Sequence, residues 1–163
     1  MKRQRFENTF FSLLELFSGM VNSMEVTVEM GKHVMGRDCF SRFSYEFDQT
    51  FQRVRRKYSG GDFRNECKEA FSTFYDSRQS NVDHYFRTLY HIVRFVDSSE
   101  VEDKSVYINF LKAQLSSLEL KLLFYNCLGE MGSTKFKTLI QKHGLLDNLR
   151  KEILIDHDHL KLL

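Results

Sequence analysis

Through most of the chain apolar residues recur every three or four positions, the period of a helix with one buried face. Phe6, Phe10, Leu13, Leu14, Phe17, Val21 and Met24 form the first such stripe and predict a helix over 5–24. The period then changes. Val26, Val28 and Met30 alternate with Thr27 and Glu29 before Gly31, which suits a short β-hairpin near residues 26–35. Helical spacing returns with Phe40, Phe43, Phe47, Phe51 and Val54 over 37–58. That segment ends on Arg53, Arg55, Arg56 and Lys57, cations that complement a helix C-terminus and form the densest basic cluster of the chain.

Asp62 is placed to cap a helix over 63–77, with Phe63, Cys67, Ala70, Phe71 and Phe74 inward. The polar run from Ser77 to Asn81 predicts a break or a bend. Beyond it, Tyr85, Phe86, Leu89, Ile92, Val93 and Val96 share one flank of a helix, while His84, Arg87, His91 and Arg94 share another. Tyr107 to Leu115 reads as a fifth helix. Ser116 and Glu119 have capping-box spacing before Leu118–Leu128, which is apolar nearly all round and therefore predicted to be the buried centre. Phe136, Leu139 and Ile140 predict a helix closed by Gly144, and Leu145, Leu146, Leu149, Ile153 and Leu154 a last one. The tail, residues 156–163, is expected to fray. The pattern as a whole predicts an all-α fold, a single-domain helical bundle of six to eight helices over 1–163, with the small hairpin inserted.

Composition supports this. The chain has 163 residues, no Pro to break helices, and 16 Phe with 7 Tyr to fill a core. A net charge of +2 is too balanced to imply nucleic-acid binding from global charge. Three cysteines without paired spacing predict buried reduced thiols and no metal site. No signal peptide and no long apolar run are visible, so no membrane span and a cytoplasmic location are expected. Signature loops for phosphate, dinucleotide or metal binding and the serine-hydrolase elbow are missing from the sequence, and no cofactor is expected.

Candidate chemistry gathers on two helices. Glu119 and Asn126 share a face of the apolar helix. A buried carboxylate requires a partner, and Arg87 or His84 supplies one. In the functional version His84, Arg87 and Glu119 form a catalytic cluster with His84 as general acid or base. In the structural version they are a clasp fixing helix register. Arg78 and His84 have a third possible use. Their Arg-x5-His spacing resembles the signature of HEPN-type ribonucleases, all-helical enzymes that usually act as dimers and need no metal.

Three blocks together carry a wider resemblance: His84-Tyr-Phe-Arg-Thr-Leu-Tyr90, the run from Leu111 to Asn126 containing Gln114-Leu-Ser-Ser-Leu-Glu119, and Lys135 to Leu149. With Phe10-Phe-Ser-Leu-Leu-Glu-Leu16 and Gly36-Arg-Asp-Cys-Phe40 upstream, they resemble the putative phage abortive infection (AbiC-like) family. The resemblance implies a bacterial antiviral role, as an effector or a sensor. It marks Tyr85, Tyr90, Gln114, Ser116 and Asn126 beside His84, Arg87 and Glu119, and His91 joins them from its helix face as a ligand-binding candidate. The resemblance also implies that many relatives carry membrane-spanning segments ahead of the part matching Phe6, so a longer parent would be membrane-associated. Three readings stay open: a defence protein whose polar cluster binds an anion such as RNA or a nucleotide, a HEPN-like ribonuclease, and a non-enzymatic module that binds a protein partner or forms a homodimer. The sequence does not decide whether the chain is an enzyme.

Overall fold

The computed structural model describes residues 2–58, 61–129 and 134–163, leaving aside the side chain of Lys2. Its described residues form six α-helices and one hairpin: α1 (Lys2–Asn22), β1 (Glu25–Thr27), β2 (His33–Met35), α2 (Cys39–Lys57), α3 (Phe63–Asp97), α4 (Lys104–Ala113), α5 (Ser117–Leu128) and α6 (Thr134–Lys142). The fold is all-α with a small antiparallel hairpin, as the periodicity predicts.

The two helices expected on either side of Ser77–Asn81 are one 35-residue helix with a kink at Arg78, whose φ of −127° and ψ of 19° leave the helical region. The kink has local causes. The Ser77 hydroxyl donates to the Phe74 carbonyl at 2.7 Å, competing with the helical ladder. Arg78 turns toward α2, where its Nε donates to Glu46 Oε2 at 2.6 Å while Arg42 Nε donates to Oε1 at 2.7 Å. Burial works to raise the Glu46 carboxyl, but the two arginines outweigh it and hold it below its ordinary value.

Helix α3 is the spine and packs on every other α-helix. Helix α5 fills the centre, with every residue from Glu119 to Leu128 buried. The core between them is largely aromatic. Phe10, Phe17, Phe40, Phe43, Phe47, Phe51, Phe71, Phe74, Tyr85, Phe124 and Tyr125 are all buried, many in edge-to-face pairs such as Phe40–Tyr85 at 4.9 Å. The three cysteines are free and buried, and burial pushes the Cys67 and Cys127 thiols up to about 12, as unreactive neutral groups.

The hairpin pairs Val26 with Val34 and turns through Met30 and Gly31, both at positive φ. Gly36, at φ +60°, donates its N–H to the Met24 carbonyl at 2.8 Å and releases the chain into the short 3-10 turn Gly36–Asp38. That turn aims Arg37 at the start of α5.

Two C-terminal expectations need correction. Leu145 to Leu154 do not form a helix: the chain leaves α6 through Gly144 and descends in turns and a 3-10 segment, burying Leu145 and Leu154 without regular structure. Residues 156–163 do not fray. His157–Leu162 close a 3-10 helix, because Asp156 caps it at the Asp158 N–H and His159 is buried. Arg64 donates to the Leu162 carbonyl at 2.9 Å, tying the end to α3.

Candidate functional site

The polar centre of the molecule is Glu119, in the first turn of α5, whose side chain is fully shielded from water. Ser116 and Glu119 form the capping box: Glu119 N–H donates to Ser116 Oγ at 3.3 Å and Ser116 N–H to Glu119 Oε2 at 2.8 Å. The carboxylate does more than cap. Tyr85 of α3 donates its hydroxyl to Oε1 at 3.0 Å, and Arg37 donates Nη1 to Oε2 at 2.9 Å. Arg37 Nη1 also donates to the Gln114 carbonyl at the end of α4, and Ser18 of α1 donates to Gln114 Oε1 at 3.3 Å. One cluster thus ties α1, the hairpin exit, α3, α4 and α5 together.

The electrostatics follow from this geometry. A buried carboxylate needs donors in place of water, and here an arginine, a phenol and a backbone amide supply them. The cost appears at Tyr85. Burial first, then the adjacent Glu119 carboxylate, pushes its hydroxyl well above the ordinary tyrosine value, fixing it as a donor. Arg37, with its side chain 39% exposed, is the one of these three side chains that reaches solvent.

The expected trio does not assemble. Glu119 finds Arg37 and Tyr85 in place of Arg87 or His84. Arg87 is exposed and pairs with Asp83 one turn back on its own helix. The reason is helical phase: Tyr85 occupies the inward flank of α3 opposite α5, so its neighbours His84 and Arg87 are turned outward. Of the remaining candidates, Tyr85, Gln114 and Ser116 gather at Glu119. Tyr90 packs on Phe136 of α6, with ring centres 5.5 Å apart, and beside His91, which is exposed. Asn126 is buried on α5 two turns beyond Glu119.

His84 lines an open groove of about 1130 Å³ between α1 and α3, with Ser80, Asn81 and Thr88 on its own helix and Glu15 and Glu25 across from it. None of the described residues lining it is Lys or Arg. Arg78 faces α2, so the Arg-x5-His pair is divided between two flanks of α3. The basic end of α2 is similarly engaged: Arg53 donates to Thr50, Arg55 lies 3.8 Å from Asp156, and Lys57 pairs with Glu69 at 2.7 Å. Among the described residues no group of His, Cys, Asp and Glu is arranged to hold a metal, and no helix is long and apolar enough to cross a membrane.

The stretch from the α3 kink through α4, α5 and α6 to Leu154 contains Tyr85, Gln114, Ser116 and Glu119. Residues 77–154 match the family described as putative phage abortive infection protein. The match covers a little under half of the chain and supports anti-phage defence in broad terms. No curated protein and no solved structure matches the chain. Arg37 lies outside the matched segment and closes its buried carboxylate from the N-terminal half.

Arg37 is the residue that sequence reasoning missed. It lies in an irregular turn, 82 positions before its partner, where no periodicity points to it. The signal available in the sequence is the Gly36-Arg-Asp-Cys-Phe40 block, which shares in the family resemblance.

Proposed function

We propose that this chain serves anti-phage defence as a protein-interaction module, with Glu119, Arg37 and Tyr85 as its internal joint rather than its reactive centre. The observation that carries this reading is that both oxygens of Glu119 are engaged, Oε1 by Tyr85 and Oε2 by Arg37 and the Ser116 amide. General acid–base work needs a group whose proton can pass to a substrate in an accessible cleft. Here the carboxylate is sealed, and His84 stands apart in a groove that, among the described residues, is lined by two carboxylates and no Lys or Arg. Acidic walls repel phosphates, which argues against RNA or a nucleotide at His84.

A direct test compares purified wild-type protein and His84→Ala on total RNA without added metal, together with protection of cells against phage. Intact RNA in both, and unchanged protection by His84→Ala, are the expected results. RNA degradation that His84→Ala abolishes at an unchanged melting temperature would overturn the reading in favour of a ribonuclease.

A further inference from the structure

We propose that the face built from the start of α1, the α3–α4 loop and α4 pairs with a second copy of this chain across a two-fold axis. The proposal rests on the interaction-module reading and names its partner.

A groove of about 1130 Å³ runs along this face. Phe6, Phe95 and Val106 supply its apolar floor, and its rims differ in sign: Arg5 stands on α1, and Glu102 on the α3–α4 loop. Arg5 and Glu102 are exposed and have no ion-pair partner among the described residues. Farther along the same two helices, Phe11 and Phe110 are 43% and 48% exposed, with ring centres 5.7 Å apart. Val106 is 43% exposed and lies one helical turn before Phe110. Two half-exposed phenylalanines beside an apolar-floored groove form the kind of contiguous patch that marks an interface.

The charges select the occupant. A groove with two basic rims would call for an acidic partner. One basic and one acidic rim on a single apolar floor are complementary to themselves, because in an isologous contact residue i meets j and j meets i. A two-fold axis over the floor sets Arg5 against Glu102 of the second copy, twice, and the half-exposed Phe11–Phe110 pair extends the apolar contact along α1 and α4.

Sedimentation equilibrium of the full chain tests this. The wild type is expected to be a concentration-dependent dimer. Arg5→Glu or Glu102→Arg alone should weaken it roughly tenfold, since each reversal enters a two-fold contact twice. The double variant should recover the wild-type constant, and Phe110→Asp should give monomer. All these positions are exposed, so circular dichroism should stay unchanged, and melting temperatures compared well below the dimer dissociation constant should stay close to the wild type's. A monomeric wild type, which leaves the face to a different partner, overturns the proposal. So does a dimer indifferent to these changes, or a double variant as weak as the singles. None of these outcomes depends on the RNA assay, so the pairing and the module reading fail separately.

Discussion

Replacing Glu119 with Ala is expected to lower stability by about 3–5 kcal/mol, the usual cost of breaking a buried ion pair from one side. For a chain of this length each kcal/mol moves the melting temperature by about 2–4 °C, so a fall of roughly 6–20 °C should be seen by calorimetry. The loss has three parts. The Arg37 guanidinium, the Tyr85 hydroxyl and the Ser116 amide all lose their acceptor. Tyr85 suffers most, being fully buried, with no water to take the carboxylate's place. Arg37→Ala should cost about as much, because it leaves the Glu119 carboxylate buried without a counter-charge even though two donors remain. Arg87→Ala should cost only about 0.3–0.5 kcal/mol, the value of an exposed i,i+4 pair. Equal losses at positions 87 and 119 would show that the joint does not lie where the coordinates place it.

That ordering also measures how far the sequence could be read. Helix existence was legible because the stripes are long: Phe40, Phe43, Phe47, Phe51 and Val54 are all buried on one face of α2. The hairpin was legible from three alternating residues and Gly31, and the capping box from Ser116 and Glu119 alone. That Glu119 needs a partner followed from burial chemistry. Which partner it takes did not, because periodicity fixes the face of a side chain and not the rotation of one helix against another. Tyr85 was placed on the apolar stripe, yet its hydroxyl is what reaches the carboxylate. Arg37 comes from an irregular turn whose path is set by Gly36 and the Met24 carbonyl, a tertiary contact without local signature. Around Arg78 the sequence showed polar residues and no stripe. The kink of α3 there turns Arg78 to Glu46 of α2, thirty-two positions away.

The C-terminal tail departs from its sequence pattern for a related reason. Asp156-His-Asp-His159 looks solvated in isolation, yet His159 is a core residue, with its ring centre 5.4 Å from Phe51, 5.5 Å from Phe63 and 5.7 Å from Tyr125. Tyr125 is the latch. Its oxygen accepts the Ile155 N–H at 3.0 Å, so its own proton is directed to His159 Nδ1 at 2.8 Å. This assigns the ring proton to Nε2, which is buried without a partner among the described residues. Tyr125→Phe would leave both the Ile155 amide and His159 Nδ1 unsatisfied in the interior, at about 1–3 kcal/mol each. Because the tail is a short segment, that loss should be local, and amides of 154–162 should exchange far faster while those of α2 and α3 hold. Acid should act in the same direction. Burial lowers the His159 pKa, with Arg55 assisting and Asp156 and Asp158 opposing. The docked ring is therefore neutral, whereas a released tail binds a proton at the ordinary value of about 6.5. Docking is at full strength above that pH and weakens as the pH falls below it. Limited proteolysis should cut the tail faster at mildly acidic than at neutral pH, and His159→Phe, which keeps the ring but cannot titrate, should remove the dependence. Proteolysis of wild type that is indifferent to pH, or of Tyr125→Phe that is indistinguishable from wild type, would mean that the latch is held by Leu154 and the neighbouring apolar contacts alone.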